Sequence, residues 1–208
     1  MDFEKYISEH SQTEDSVLKE LFRETNLKIL MPRMLSGPIQ GKLLEFFSKM
    51  ICPKNILEIG TYTGYSAICM AKGLAEDGIL DSIEINDELE PIIRRYFAKA
   101  GVQEKIRLHF GDALEIVPHL NKMYSLVFID ADKRKYIEYY QSVFDKVLPG
   151  GFIIADNVLW NGKVLEDPMP IDEYTKGIDN FNKLVQNDTR VENLLLPLRD
   201  GLMIIRKK

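Results

Sequence analysis

Five stretches of this 208-residue chain carry side chains that could do chemistry. They are Glu58-Ile59-Gly60, Glu84, Gly111-Asp112-Ala113, Asp130-Ala131-Asp132-Lys133 and Asp156-Asn157, each at the end of a short apolar run. Carboxylate and amide oxygens accept hydrogen bonds from hydroxyl and ammonium groups. Taken singly, an Asp or Asn in such a place is an ordinary cap or turn residue. Five together, beside a glycine turn, exceed what capping requires.

The turn itself reads Glu58-x-Gly60-x-x-x-Gly64. A dinucleotide fold wants G-x-G-x-x-G, so that a helix N-terminus can approach a pyrophosphate. Here Tyr62 stands where the middle glycine would sit, and a carboxylate two residues before Gly60 would repel a phosphate. That carboxylate suits an ammonium or a ribose hydroxyl instead. Glu84 lies about twenty residues past the loop, where an acid grips a ribose diol. The ligand implied is a nucleoside without phosphates and with an amino-acid-like cationic end. S-adenosylmethionine fits, while a dinucleotide and a tight turn with no ligand remain the alternatives.

The elements that must position these residues follow from periodicity. Residues 1–31 read as two polar, helix-prone pieces closed by Pro32, and Gly37-Pro38 opens an amphipathic helix over 39–50. Strands are predicted at 56–59, 79–85, 106–110, 125–130 and 152–155, with helices at 66–73, 87–100, 114–120, 135–147 and 172–187 between and after them. Leu148-Pro149-Gly150-Gly151 reads as a turn before the fifth strand. Strands alternating with helices predict an α/β fold, a Rossmann-like doubly wound and mostly parallel seven-stranded sheet. The last two strands, 191–196 and 202–206, are too close in sequence for a helical crossover, so they should form a C-terminal antiparallel hairpin. In such sheets ligands gather beyond the carboxyl ends of the strands, where the five stretches fall.

Length fits one domain, residues 1–208, with residues 1–36 as an N-terminal helical extension. Apolar residues make up 45% and charged residues 28%, as in a water-soluble globular protein. The net charge of −5 does not favour polyanions. Cys52 and Cys69 sit among apolar residues and read as reduced core thiols. No signal core and no membrane-spanning run appears, so no membrane partner is expected and a cytoplasmic location is the default. His10, His109 and His119 are scattered, and none falls at a predicted strand end beside the acids.

The stretches LEIGTYTGYSAICMA, IEIN, GDALE, FIDADKRKY and ADNVLWNG resemble, in order and spacing, the motifs of the cation-dependent O-methyltransferases, relatives of the catechol and caffeoyl-CoA enzymes. The DADK form resembles the caffeoyl-CoA and bacterial branches, and Ala131 and Asp132 replace the bulkier aromatic residues of the catechol enzymes. The resemblance covers residues 30–206 and implies the class I methyltransferase fold. It implies that Glu58, Gly60, Tyr62, Tyr65 and Ser66 hold the methionine end of S-adenosylmethionine and that Glu84 accepts from its ribose. Asp112 and Ala113 would edge the adenine, and Met34, Ser36 and Gly37 would fold over the cofactor. Asp130, which also borders the cofactor, would ligate a metal together with Asp156 and Asn157. Lys133 would stand beside the reacting hydroxyl, with Asp130, as the catalytic pair.

The donor types agree with those implied roles. Two carboxylates and an amide are hard oxygen ligands that suit Mg²⁺, with Mn²⁺ or Ca²⁺ able to replace it. Without the resemblance, Lys133 reads equally as a surface lysine in a basic run. Trp160, in the long 158–171 loop, either anchors that loop or walls an acceptor pocket. The expected reaction is methyl transfer to one hydroxyl of a small hydroxylated aromatic acceptor, a catechol-like vicinal diol. The alternative is a tRNA hydroxyuridine, which offers the metal the same oxygen pair. Lys133-Arg134-Lys135, Arg94-Arg95, Lys28 and Arg33 would then form a basic rim. Apolar residues of the N-terminal pieces, Phe3, Tyr6, Ile7, Val17, Leu18, Leu21 and Phe22, exceed what the sheet needs and suggest a homodimer.

Overall fold

The computed structural model describes residues 6–7 and 9–208. Seven strands form one sheet in the order β3-β2-β1-β4-β5-β7-β6. They are β1 (Asn55–Ile59), β2 (Ile79–Glu84), β3 (Ile106–Phe110), β4 (Tyr124–Ile129), β5 (Val147–Asp156), β6 (Val191–Leu196) and β7 (Leu202–Lys207). The pairs β1–β2, β2–β3, β1–β4 and β4–β5 are parallel, and β7 runs antiparallel to both β5 and β6. The carboxyl ends of β1 to β5 therefore share one edge. The chain leaves β1 toward β2 on one side and returns to β4 on the other. The expected doubly wound sheet and terminal hairpin are both present.

Seven helices surround it: α1 (Ser16–Lys28), α2 (Gly37–Ile51), α3 (Tyr65–Ala71), α4 (Glu90–Lys99), α5 (Ala113–Ile116), α6 (Tyr136–Phe144) and α7 (Glu173–Asn187), counted among the described residues. Neighbouring strand residues face opposite layers. Ile56 and Leu126 join a core built with Leu21, Leu44, Ile68 and Phe97 of α1 to α4. Leu57 and Val127 join a second core with Tyr136, Tyr140, Ile178 and Phe181 of α6 and α7. Burial on both faces explains why the central strands read as continuous apolar runs.

Four expectations are corrected. The Leu148–Gly151 stretch lies inside β5, as an irregularity where Tyr124 pairs with Val147 but Leu126 with Phe152. Proline and glycine there loosen the ladder without ending the strand, because Val147 is already bound to β4. The helices expected from 87 and 135 begin with tight turns, Asp87–Leu89 and Lys133–Lys135, before α4 and α6. Cys69 is a buried thiol, but Cys52 is exposed at the C-cap of α2 with φ 48°, beyond the last buried turn of that helix. Leu18 and Leu21 are core residues and not surplus apolar surface, because α1 covers a sheet face; Phe22 and Tyr6 are exposed, and Phe3 lies outside the described residues.

Candidate active site

The glycine turn fixes one side of the site. Gly60 has φ 100°, and a Cβ there would meet the Asp130 carbonyl oxygen at 1.9 Å. Only glycine lets the end of β1 rest directly on the end of β4. Before it, the fully buried Glu58 accepts from Ser66 Oγ at 2.5 Å and from Ser82 Oγ. Burial, helped by the Asp130 and Glu84 charges, pushes its carboxyl up to about 7 despite these two hydroxyls. Glu84 ends β2 and braces the turn, accepting from the Tyr62 amide at 2.6 Å and the Asn86 amide at 2.9 Å. Burial raises this carboxyl too.

A narrow cavity opens against this turn. Its lining brings together Met34, Ser36, Gly60, Tyr62, Tyr65, Ser66 and Asp130, all named from sequence, with Leu35 and Thr61, which were not. The Tyr65 hydroxyl is engaged away from it by Glu14, and the Tyr62 hydroxyl donates to the Leu30 carbonyl at 2.9 Å. Asp112 caps α5 by accepting from the Leu114 amide at 2.9 Å and pairs with Lys135 Nζ at 2.9 Å, which holds its carboxyl low. Capping is thus a real part of what Asp112 does; Ala113 beside it is buried.

The second cluster lies at the ends of β4 and β5. Lys133 is buried, and its Nζ lies 2.7 Å from Asp130 Oδ1 and donates to the Tyr136 hydroxyl. Tyr136 in turn donates to the Asp156 carbonyl at 2.8 Å. Helix α7 supports the Lys133 turn at close range, since a Cβ on Gly177 would fall 2.6 Å from the Lys133 carbonyl oxygen. The surface-lysine reading of Lys133 therefore fails. Asp156 is buried, accepts from Gln40 Nε2 at 2.5 Å and from the Asn157 amide at 2.7 Å, and is pushed up to about 7 by burial and by Asp130. Asn157 sits at φ 56°.

Gln40, Ser82 and Tyr136 were missed from sequence. Gln40 carried a signal, because it is a polar residue within a helix expected to bury one face, and it is 1% exposed. Ser82, inside an apolar strand, and Tyr136, three residues after Lys133, had none that separated them from ordinary strand and helix residues. Trp160 stacks on Tyr174, with ring centroids 5.8 Å apart, and packs against the second core, which is an anchoring contact. Its indole Nε1 is buried without a partner among the described residues.

Among the described residues no cluster of three or more His, Cys, Asp or Glu side chains could hold a metal ion. Asp130, Asp156 and Asn157 contribute two carboxylates and an amide, so any ion here would be held by a mixed oxygen set. Such a set fits a hard cation, and Asp156 carries the mark of a neighbouring like charge only partly offset by Lys133.

Residues 8–208 match the model of the O-methyltransferase family. The chain belongs to that family. Caffeoyl-CoA O-methyltransferase 5 of Nicotiana tabacum is 36% identical over 216 residues, spanning 98% of this chain and 90% of that protein. Caffeoyl-CoA O-methyltransferase 1 of Arabidopsis thaliana is 36% identical over 219 residues, spanning 99% and 84%. The O-methyltransferase TomG of Streptomyces achromogenes, crystallised with S-adenosylmethionine, superposes with a TM-score of 0.92 at 28% identity over 100% of this chain and 99% of that one. The O-methyltransferase of Bacillus cereus, crystallised with S-adenosylhomocysteine, gives a TM-score of 0.90 at 29% identity, over 98% and 96%. In this O-methyltransferase the expected cofactor segment, glycine turn and acid ends lie on one sheet edge. Among the described residues no helix is long and apolar enough to cross a membrane.

Proposed function

We propose that this S-adenosylmethionine-dependent O-methyltransferase acts with a divalent cation on one hydroxyl of a small catechol-like acceptor. The observation that carries the reading is the pair of buried Lys133 with half-buried Asp130 at the end of β4, with Asp156 beside it at the end of β5. A lysine and two acids gathered at the switch of strand order, against the cofactor turn, form a site for deprotonating a hydroxyl next to a methyl donor.

In this reading the cavity residues Met34, Ser36, Gly60, Tyr62, Tyr65, Ser66 and Asp130 border the cofactor, Glu58 holds its cationic end from behind through Ser66, Glu84 faces its ribose, and Asp112 and Ala113 its adenine. The cofactor supplies an activated methyl group. Asp130, Asp156 and Asn157 would hold Mg²⁺ or Mn²⁺, with Ca²⁺ a third option, which polarises the acceptor oxygen when bound. Lys133, as the free amine, takes the proton of the attacking hydroxyl and becomes the ammonium, its Nζ positioned by Asp130 and Tyr136. Adjacent oxygens on the acceptor suit such a site because both can be fixed at once, aligning the reacting one. Met34 and Ser36, at the end of the N-terminal extension, cover the cofactor side. A homodimer, through exposed apolar residues of the N-terminal pieces such as Tyr6 and Phe22, and a cytoplasmic location remain part of this proposal.

The tRNA reading gains no support. Six of the seven cations expected to form its rim, all but Arg33, are engaged with acids: Lys133 with Asp130 at 2.7 Å, Arg134 with Asp132 at 2.6 Å, Lys135 with Asp112, Arg94 with Glu90 at 2.5 Å, and Arg95 and Lys28 with Glu24 at 2.8 and 3.0 Å. The deciding experiment supplies methyl-labelled cofactor with Mg²⁺ to the purified protein and follows label into a dihydroxycoumarin and into bulk tRNA. Label in the coumarin alone supports the proposal; label in tRNA alone refutes the acceptor class.

A further inference from the structure

The turn joining β6 to β7 reaches both halves of the site from outside. Arg199 Nη1 donates to the Leu35 carbonyl at 3.1 Å, to the Ser36 carbonyl, and to Gln40 Oε1 at 3.1 Å. Leu35 and Ser36 line the cofactor cavity. The next residues of the turn bind the other arm: Asp200 accepts from the Leu159 amide at 2.9 Å and, through Oδ1, from the Asn161 amide at 2.5 Å, and the Gly201 carbonyl accepts from the Val158 amide at 3.1 Å. Arg199 itself is held at φ 51°, a region costly for a residue with a side chain, so the turn is over-determined by these contacts.

Gln40 continues the connection inward. It is buried, and its amide has one possible orientation, because a guanidinium only donates and a carboxylate only accepts. Its oxygen must face Arg199 and its nitrogen must face Asp156 Oδ2, which it meets at 2.5 Å. An apolar residue in its place would leave the buried carboxylate with one donor fewer.

We propose that Arg199 and Gln40 are positioning residues: Arg199 clamps the 35–36 segment over the cofactor cavity, and through Gln40 it sets the orientation of the Asp156 carboxylate. The Gln40 half rests on the cation-dependent reading above; the Arg199 half does not. Cofactor closure and cation affinity are thereby tied to the same surface turn, remote in sequence from every motif of the family.

The test uses the full chain and two binding measurements. Calorimetry with S-adenosylhomocysteine in excess chelator reads the clamp, and paramagnetic-resonance titration with Mn²⁺ reads the acid. Arg199→Ala is expected to weaken S-adenosylhomocysteine at least tenfold, with Arg199→Lys recovering part of the loss. Gln40→Ala is expected to weaken Mn²⁺ by about 10–100-fold, the usual effect of removing a ligand's hydrogen-bond partner, while S-adenosylhomocysteine affinity stays within threefold. Circular-dichroism melts show which variants are folded, and Arg199→Lys carries the clamp test if Arg199→Ala does not fold. Wild-type S-adenosylhomocysteine affinity in a folded Arg199 variant overturns the clamp. Unchanged Mn²⁺ affinity in Gln40→Ala, or equal losses of both ligands, overturns the specific link to Asp156. If the unaltered protein binds no Mn²⁺, the cation reading falls and the Gln40 half with it, while the clamp is still judged by S-adenosylhomocysteine.

Discussion

Lys133 Nζ stands 2.7 Å from Asp130 Oδ1, both at the carboxyl end of β4, and the lysine is buried there. A tight turn and the close approach of α7 hold the pair, so a side chain that looks like part of a solvated basic run is an interior group. If it is the base, Lys133→Ala should lower kcat by about 10²–10⁴, the usual worth of a positioned base. S-adenosylhomocysteine affinity should stay within a few-fold. A variant with near-normal kcat would remove Lys133 from the reaction.

Cation dependence is tested by removal. Excess chelator should abolish turnover, and Mg²⁺ or Mn²⁺ should restore it. Asp156→Ala should lose activity while binding S-adenosylhomocysteine within a few-fold of the unaltered protein. Full turnover in chelator would eliminate the Asp130, Asp156 and Asn157 reading.

Glu84 accepts from two backbone amides of the turn and its neighbour, and in the proposed function also from the ribose. Hydrogen bonds to a charged group are worth about 1.5–3 kcal/mol each. Glu84→Ala should weaken S-adenosylhomocysteine at least tenfold by calorimetry, and Glu84→Gln by less. Unchanged affinity in both would mean that the cofactor does not run along the end of β2.

Glu58 makes stability fall with pH. Its carboxyl rises from the ordinary 4.5 to about 7 on folding, so between these values the folded chain binds the proton and the unfolded chain has lost it. This contribution is fully present below pH 4.5, is lost as pH rises toward 7, and is constant above. The shift corresponds to ~3 kcal/mol at most. Urea unfolding of the ligand-free protein at pH 5 and pH 8 should show a loss that is smaller by about 2–2.5 kcal/mol in Glu58→Gln, since part of the contribution is already gone at pH 5. Parallel losses in the two proteins would place the titration elsewhere.

Acceptor class has a salt signature. A small diol brings no polyanion term, so its KM should change less than about threefold between low and physiological salt. A nucleic-acid acceptor would lose affinity steeply, by about 0.7–0.9 in log affinity per phosphate for each decade of salt. A steep dependence measured with tRNA, together with faster methylation of it than of any diol, would reverse the proposed acceptor.

The sheet, the terminal hairpin and the edge on which the site forms were legible along the chain. Strand period, apolar runs and the 60–64 glycines depend on local chemistry, and local chemistry is what a sequence displays. It also named most of the cavity lining, since Gly60, Tyr62 and Ser66 fall within one turn. What it could not display were contacts made across the chain. Gln40 meets Asp156 over 116 positions, and Arg199 meets Leu35 over 164. Whether Lys133 is surface or interior depended on α7 packing over its turn, and whether Leu18 and Leu21 were interface or core depended on α1 lying on the sheet. Packing settled these, because burial and hydrogen-bond partners belong to the packed pair and not to either residue's place along the chain.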